Sequence, residues 1–209
     1  MAELQGKFIT LEGPEGSGKS TQALMLAEYL SGRGDEVVKT REPGGVSIAE
    51  QLREMLLNPD NIICSKTELL LYAAGRAQHT EELILPALRQ GKYVICERFT
   101  HATVAYQGYG RGLDMKLIEE LNNVATGGIQ PDITVILDVP ADEGLNRVKK
   151  SNRSFDRLES ENISFHRKVR AGYLELARLN GDIEVIESIG TPESVHEKII
   201  NLLEEKGIL

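Results

Sequence analysis

The sequence has little cysteine and no long apolar run. Its two cysteines, Cys64 and Cys96, do not have the CxxC spacing of metal or redox motifs. The first residues, MAELQGKFITLEG, contain neither the basic nor the apolar part of a secretion signal. No uninterrupted apolar stretch approaches the roughly 18 residues that a membrane-spanning helix needs. These absences predict a soluble protein of the reducing cytoplasm, with no membrane partner.

Basic residues are also in the minority. The chain has 24 Lys and Arg residues against 32 Asp and Glu residues, which gives a formal net charge of −8. A negative protein is a poor general ligand for DNA, RNA or anionic lipid, so no nucleic-acid partner is expected. Any phosphate group that the protein binds must therefore meet a local cluster of donors.

Two kinds of apolar segment alternate along the 209 residues, of which 41% are hydrophobic. Short runs rich in β-branched residues are typical of buried strands, and the longer segments between them have helical spacing. The alternation predicts an α/β fold of three layers over residues 1–209, one domain in which a five-stranded parallel sheet has helices on both faces. The predicted strands are Lys7 to Glu12, Glu36 to Thr40, Tyr93 to Glu97, Ile133 to Asp138 and Ile183 to Glu187. The predicted helices are Ser20 to Leu30, Ile48 to Leu57, Thr67 to Arg89, Asp114 to Val124, Ala141 to Lys150, Glu161 to Leu179, and Pro192 to Glu205 with Thr191 as its cap.

The first predicted strand leads directly into a glycine-rich segment, GPEGSGKS, at residues 13–20. This segment fits the P-loop pattern GxxxxGK[ST], and the helical pattern that follows it is the context that the motif requires. The glycines let backbone N–H groups point at phosphate oxygens, Lys19 supplies positive charge to the β- and γ-phosphates, and the Ser20 hydroxyl is a ligand for Mg²⁺. An ordinary glycine-rich turn is the alternative, which the agreement of strand, loop and helix disfavours. The predicted ATP contacts here are Gly13, Pro14, Glu15, Gly16, Ser17, Gly18, Lys19, Ser20 and Thr21.

A P-loop identifies a nucleotide-binding protein but not its reaction. The NKxD motif with which GTPases read guanine is absent from the sequence, which counts against a G protein. Asp138 ends the fourth predicted strand in the position of a Walker B carboxylate, although Val139 stands where many ATPases have a second acidic residue. Asp138 can equally be a residue that only ends a strand. The remaining motifs indicate a second phosphorylated substrate, which disfavours an ATPase.

Four further motifs follow the P-loop in order. They are REPGG at residues 41–45, ERF at 97–99, AYQGYGRG at 105–112 and DRLE at 156–159. With these motifs the chain resembles the thymidylate kinases of the bacterial type over roughly its first three quarters, and several separated motifs are more specific than one. The resemblance implies a P-loop NTPase fold and an enzyme that transfers the γ-phosphoryl group of ATP to dTMP, giving dTDP and ADP. It also implies Mg²⁺ as a cofactor and a homodimer.

Arg98 follows the third predicted strand, at the edge of the sheet where ligands bind. Its guanidinium can hold a phosphate with two N–H donors, and the alternative is a salt bridge that holds a helix end. The resemblance assigns Arg98 to the acceptor phosphate, as a catalytic residue together with Lys19. It further implies a cis bond before Pro43 in a turn beneath that phosphate. Arg41 is expected either to assist the phosphate or to pair with Glu42.

Two pairs of residues spaced four apart are predicted to contact the acceptor base. Tyr72 and Arg76 share one face of a predicted helix, although such a pair alone is more typical of core packing and a solvated arginine. The resemblance places Tyr72 and Arg76 on the thymine ring, and it places Thr103 and Gln107 at the edge of the base. It also implies that Tyr106 crowds the sugar where a ribose 2′-OH would lie.

Two carboxylates are predicted near the reacting phosphates. Glu15 lies inside the P-loop, and the resemblance gives it a catalytic role, in contact with the acceptor 3′-OH or with water around the metal; a solvent-facing glutamate is the alternative. Glu97 is the metal ligand predicted beside Ser20. It stands where the family pattern has Asp, and its longer side chain would shift the metal or Arg98 by about one methylene.

Residues 147–158 are predicted to form a short lid over ATP. Charge runs are usually solvated faces, but the family has its lid at this point, and the P-loop contains no basic residue besides Lys19. The lid is therefore the expected source of positive charge for the transferring phosphoryl group, with Arg147 and Arg153 as ATP contacts and Arg153 as a catalytic residue. Five cations lie within eleven residues of this segment: Arg147, Lys149, Lys150, Arg153 and Arg157.

Two rival functions remain open at this point. The Glu-Arg pair at residues 97–98 is also similar to deoxynucleoside kinases, whose acceptor is a hydroxyl that needs a base nearby. REPGG and YQGYGRG favour a monophosphate acceptor instead. A nucleotide-dependent switch or assembly factor is the non-enzymatic alternative, and it predicts that ATP binds but is not consumed with any deoxynucleotide.

Overall fold

The computed structural model describes residues 4–151 and 154–209. Within these ranges five parallel strands form one sheet in the order β2-β3-β1-β4-β5. The three-layer α/β architecture and the five-stranded parallel sheet predicted from the sequence are confirmed. The strands are β1 (Lys7–Glu12), β2 (Val37–Arg41), β3 (Tyr93–Glu97), β4 (Ile133–Asp138) and β5 (Ile183–Glu187).

Helices connect the strands and cover both faces of the sheet. Two π-helical segments, Thr80–Ile84 and Val104–Gly110, extend helices of the ordinary kind. No helix in the described ranges is both long and apolar enough to cross a membrane. The α-helices are α1 (Lys19–Gly32), α2 (Ser47–Leu57), α3 (Ser65–His79), α4 (Leu85–Arg89), α5 (Thr100–Thr103), α6 (Met115–Thr126), α7 (Ala141–Lys150), α8 (Ile163–Leu179) and α9 (Pro192–Glu205).

Four of the five predicted strands have the observed bounds, and β2 begins and ends one residue later than predicted. The predicted helix from Thr67 to Arg89 is instead divided into α3, a π segment and α4. Pro86 has no N–H to donate to the carbonyl of Glu82, so the regular helical pattern cannot run through this point. The predicted cap of α9 is confirmed, because the Thr191 hydroxyl accepts a hydrogen bond from the Ser194 N–H at 3.3 Å.

Helix α5 and the π segment Val104–Gly110 were not predicted. Glycines let this segment lie close to α8, since a Cβ atom on Gly110 would come within 2.6 Å of the Phe165 ring. The contact packs the segment against α8 and places Tyr106 so that its hydroxyl donates to Glu15. A sequence pattern of period 3.6 does not reveal such a segment, because the π-helix winds more widely.

Different helices cover the two faces of the sheet. On one face α1 and α9 bury a core that includes Leu26, Val135 and Ile199. On the other face α8 and the second π segment pack around Tyr173, and α4 packs beside β3. Because all strands are parallel, β1 to β4 end at one edge, where Glu12, Arg41, Glu97 and Asp138 are the last residues. This edge is where ligands bind in open α/β sheets.

Candidate active site

A cleft of about 740 Å³ lies at the carboxyl edge of the sheet. Nearly all of the predicted site residues that the structure describes line it. Gly13 and Pro14 do not line it, and Arg153 lies outside the described residues. The predicted residues along the cleft are Glu15, Gly16, Ser17, Gly18, Lys19, Ser20, Thr21, Arg41, Pro43, Tyr72, Arg76, Glu97, Arg98, Thr103, Tyr106, Gln107 and Arg147.

The P-loop joins β1 to α1 and encloses the Lys19 ammonium. Lys19 Nζ donates hydrogen bonds to the carbonyl oxygens of Gly13 at 3.0 Å and Pro14 at 2.7 Å. The loop reaches this shape through Gly18, whose φ of 86° lies in the left-handed region that glycine adopts without strain. No side chain caps the start of α1, so its first N–H groups point toward the cleft and favour an anion there.

Arg98 approaches the same point from β3. Its NH1 group donates to the Gly13 carbonyl at 3.1 Å, so one oxygen atom accepts hydrogen bonds from both Lys19 and Arg98. The Arg98 side chain is 17% exposed, and its guanidinium carbon lies 4.9 Å from the centre of the Tyr106 ring. These two cations are far apart in the sequence, and the fold brings them together at the Gly13 carbonyl.

Glu15 compensates this positive charge. Its Oε1 atom accepts hydrogen bonds from Arg98 NH2 at 2.8 Å and from the Tyr106 hydroxyl at 2.7 Å. Burial alone would raise the pKa of Glu15, but Arg98 and then Lys19 outweigh burial and hold that pKa at about 2. Glu15 is therefore an ionised carboxylate that faces the cleft, in contact with Arg98.

The cluster also acts on Lys19. Burial and repulsion by Arg98 lower the pKa of the Lys19 ammonium to about 7, although Glu15 and the other nearby carboxylates favour its charged form. An anion that enters the cleft would favour the protonated form of Lys19. Binding of a phosphate and protonation of this lysine are therefore coupled.

The two predicted metal ligands are adjacent. The Ser20 hydroxyl, in the first turn of α1, donates to Glu97 Oε2 at 2.6 Å. A hydroxyl and a carboxylate are hard oxygen ligands, and Mg²⁺ in phosphate sites is usually held by one or two protein ligands, waters and phosphate oxygens. No group of three or more His, Cys, Asp or Glu side chains in residues 4–151 and 154–209 could hold a metal ion. This donor set suits Mg²⁺ rather than a structural zinc ion.

A turn after β2 forms the wall of the cleft opposite the P-loop. The bond between Glu42 and Pro43 is cis, as predicted. Arg41 does not pair with Glu42, which was one of its two predicted alternatives; its NH2 group donates to both carboxylate oxygens of Glu50 at 3.0 Å. Arg53, on α2, was not predicted and donates to the Pro43 carbonyl at 2.8 Å. Burial and repulsion by Arg41 lower the pKa of Arg53, so two like charges face this part of the cleft.

Arg76 lies in the interior and is 2% exposed. Its guanidinium makes four hydrogen bonds to protein atoms, so it is held in one orientation and is not the solvated arginine that the sequence alone allowed. The acceptors are Glu42 Oε2 at 2.8 Å, Thr103 Oγ1 at 2.9 Å, Asn122 Oδ1 at 2.7 Å and the Phe99 carbonyl at 2.8 Å.

Gln107 is similarly fixed. Its Nε2 atom donates to Glu68 Oε1 at 2.8 Å, and Glu68 is fully buried. Arg157 lies 2.7 Å from the other oxygen of Glu68 and donates from Nε to the Leu56 carbonyl. Arg157 therefore lies against α2 and α3, and it does not line the cleft.

Arg147 lies on α7 beside the P-loop, where it donates to the Ser188 carbonyl at 3.1 Å. The two elements touch through glycine: a Cβ atom on Gly144 would collide with the Glu15 carbonyl oxygen, and one on Gly16 would collide with the Gly144 carbonyl. Only the absence of both side chains allows this approach of the α7 backbone to the P-loop.

Asp138 pairs with Arg170 through two hydrogen bonds of 2.8 Å. It does not line the cleft. The structure therefore favours the interpretation that Asp138 ends a strand, and it gives no support to a Walker B carboxylate.

The chain is similar to thymidylate kinases along nearly its full length. The sequence model described as Thymidylate kinase matches residues 11–199. The thymidylate kinase of Syntrophotalea carbinolica is 50% identical over 199 residues, which cover 92% of each chain. That of Pelotomaculum thermopropionicum is 47% identical over 204 residues, which cover 97% of this chain and 94% of its relative. The crystal structure of thymidylate kinase from Ehrlichia chaffeensis superposes with a TM-score of 0.79 at 38% identity, and covers 95% of this chain and 98% of its own.

The glycine contact between α7 and the P-loop leads to the first prediction. In Gly144→Ala the new methyl group must displace the Glu15 carbonyl, so we expect kcat/KM for ATP to fall about 10- to 100-fold. Gly32→Ala is the matched control, because Gly32 is also helical and a Cβ atom there meets nothing within 4 Å. Alanine is the better helix former in both places, by up to about 1 kcal/mol. Steady-state kinetics that do not distinguish the two variants would contradict the contact.

Proposed function

The chain belongs to the thymidylate kinase family, and on this premise we propose that it transfers the γ-phosphoryl group of ATP to dTMP, giving dTDP and ADP for the synthesis of dTTP. One observation carries the proposal: Lys19 and Arg98 donate to the same carbonyl oxygen, that of Gly13. Lys19 belongs to the donor site, and Arg98 faces the acceptor. Two phosphates held by these groups meet end to end.

Phosphoryl transfer asks for alignment and charge neutralisation more than for covalent participation by the protein. The P-loop N–H groups and Lys19 bind the β- and γ-phosphates. Arg98 binds the acceptor phosphate, and Arg41 and Arg53 add positive charge behind it. The phosphate of dTMP is ionised at neutral pH, so the reaction needs no general base, and an oxygen of this phosphate attacks the γ-phosphorus as the bond to ADP breaks.

The metal of this reaction is Mg²⁺, with Ser20 and Glu97 as the residues that would hold it. When bound, the ion would neutralise negative charge on the phosphates of ATP. Glu97 orients the Ser20 hydroxyl through the hydrogen bond between them.

The acceptor base lies at the far end of the cleft, between Tyr72 and Arg76. Because Arg76 is fixed by four acceptors, it presents a preorganised donor to the base, with Thr103 and Gln107 beside it. Tyr106 closes the sugar region next to Glu15. Discrimination between thymine and uracil rests on one methyl group, which a pocket usually rewards with about 1 to 3 kcal/mol.

The two rival functions are set aside. Family membership identifies an enzyme, so a nucleotide-dependent switch is no longer a candidate. A deoxynucleoside kinase has no acceptor phosphate to bind, whereas Arg41, Arg53 and Arg98 all line this cleft.

Three further features belong to the proposal. Residues 1–209 act as one kinase domain, and residues 147–158 close over ATP as a lid that carries Arg147 and Arg153. Arg147 already lies beside the P-loop, with its NH1 group 3.5 Å from the Gly16 carbonyl. The location in the cytoplasm stays a prediction from the sequence.

We propose a homodimer through α2, α3 and α6. These helices pack side by side, and each presents large apolar side chains to solvent on its outer surface. A self-complementary contact across a two-fold axis would cover them together. They are Ile48, Met55, Leu70, Leu117 and Val124, between 40% and 80% exposed.

Removal of either central cation should abolish most of the activity. Lys19→Ala and Arg98→Ala each remove a charge that stabilises the transition state, so we expect kcat/KM to fall about 10²- to 10³-fold. ADP release is measured with dTMP and with thymidine as separate acceptors. Arg178→Ala is the control, because Arg178 pairs with Glu175 on an exposed helix surface.

Wild-type turnover of thymidine without turnover of dTMP would overturn the acceptor assignment. Near-normal turnover by Arg98→Ala in a folded protein would overturn the role of Arg98.

A charge in the proposed dimer contact should separate the subunits. In Leu70→Glu the two-fold axis repeats the buried carboxylate, so we expect the dimer Kd to rise at least about tenfold. Sedimentation velocity distinguishes the 23.1 kDa monomer from a dimer of twice that mass. Leu179→Glu, on α8, is the control, since Leu179 is also exposed. A wild-type protein that sediments as a monomer, or equal dimerisation by both variants, would contradict this interface.

A further inference from the structure

Arg98 has an unusual backbone. Its φ of 65° makes it the one residue other than glycine, in residues 4–151 and 154–209, with a left-handed conformation. A residue with a Cβ atom occupies this region at a cost of roughly 1 to 3 kcal/mol, and such conformations persist where neighbouring groups enforce them. The enforcing groups should therefore lie next to Arg98.

Glu12 holds the backbone that follows Arg98. Its Oε1 atom accepts hydrogen bonds from the Phe99 N–H at 2.7 Å and from the Ala102 N–H at 3.2 Å. Glu12 is the last residue of β1 and is fully buried. Burial raises the pKa of Glu12, against the opposing effects of Arg98 and of the hydrogen bond from the Phe99 N–H. A buried carboxylate is tolerated only when its oxygens are hydrogen-bonded, and both oxygens of Glu12 are.

Tyr173 donates a hydrogen bond to the second carboxylate oxygen of Glu12. Its hydroxyl, on α8, donates to Glu12 Oε2 at 2.8 Å and accepts from Arg98 NH1 at 3.2 Å. The ring is fully buried and packs edge-on against Tyr106, with 6.3 Å between centroids. One hydroxyl thus connects the group that holds the Arg98 backbone to the Arg98 guanidinium.

From this arrangement we infer that Glu12 and Tyr173 are positioning residues for the acceptor phosphate, and that they act through Arg98. Tyr173 and the Gly13 carbonyl occupy NH1, and Glu15 accepts one hydrogen bond from NH2. Among the contacts of the residues that the structure describes, this leaves Nε and the second N–H of NH2 as the donors for a phosphate in the cleft. Glu12 fixes the backbone next to Arg98, and with it the position of the Arg98 Cα atom. The inference rests on the proposed function and extends it to two residues that do not line the cleft.

Tyr173→Phe removes only the hydroxyl and keeps the buried ring. We expect kcat/KM for dTMP to fall about 10- to 100-fold, the usual effect of a hydrogen bond to a charged group, while KM for ATP changes less than about twofold. Tyr93→Phe is the matched control, because the Tyr93 hydroxyl also donates to a single acceptor, the Ile208 carbonyl at 3.1 Å, at the other end of β3. If the Tyr173 hydroxyl were only structural, Tm would fall in both variants. Tyr173→Phe would then show no loss of kcat/KM that is specific to dTMP.

The same change in the Arg98→Ala protein separates positioning from any direct effect. If Tyr173 acts through Arg98, Tyr173→Phe should reduce kcat/KM for dTMP by less than about twofold once Arg98 is absent. Additive losses in the double variant would overturn the inference. So would a Tyr173→Phe enzyme with the kinetics of Tyr93→Phe.

A second measurement is independent of turnover. Side-chain ¹⁵N NMR reports rotation of the Arg98 guanidinium about its Cζ–Nε bond, which hydrogen bonds at NH1 and NH2 slow. We expect slow rotation in the wild type and faster rotation in Tyr173→Phe. Equal rotation rates in the two proteins would overturn the inference, whether or not the wild type turns over dTMP. A wild type inactive on dTMP would instead refute the proposed function.

Discussion

The carbonyl oxygen of Gly13 accepts hydrogen bonds from Lys19 and from Arg98, and the rest of the site follows from that shared contact. Two cations that are removed from water and share one acceptor repel each other, and their burial is unfavourable unless nearby groups compensate. Glu15 supplies the compensation through its ion pair with Arg98. Glu15 thus offsets one of the two positive charges, and the phosphates of the two substrates bring further negative charge to the cleft.

The fold creates this contact from distant parts of the chain. The P-loop follows β1, and Arg98 follows the neighbouring parallel strand β3. The register of these two strands places Leu11 opposite Glu97. Helix α8 completes the arrangement from the other side of β1 by placing Tyr173 against Glu12. Substrate anions therefore meet groups that are already oriented, and little reorganisation is needed when the phosphates align.

The sequence predicted what depends on local pattern. Strand bounds were accurate because buried parallel strands are short apolar runs, and the P-loop was recognised because its glycines and its Lys-Ser pair are contiguous. Arg98 was found because strand ends in such sheets carry ligands. The same argument applied to Glu12, which also ends a strand, would have drawn attention to it.

Contacts between distant segments could not be predicted from the sequence. Arg41 pairs with Glu50 and not with adjacent Glu42, because Glu42 is turned inward to Arg76 and His79. The hydroxyl of Tyr173 reaches Arg98 from 75 positions away, on a helix whose pattern indicates only a buried face. Such pairings are set by packing, and neither spacing nor composition encodes them.

The most direct test of the shared contact is the titration of Lys19 in the ligand-free protein, followed by ¹³C NMR of labelled lysine and assigned with Lys19→Arg. Burial and repulsion by Arg98 predict a pKa of about 7, and Arg98→Ala should raise it because the repulsion is lost. A Lys19 that titrates near the usual lysine pKa of about 10.4, unaffected by Arg98→Ala, would show that the two cations do not meet before substrate binds.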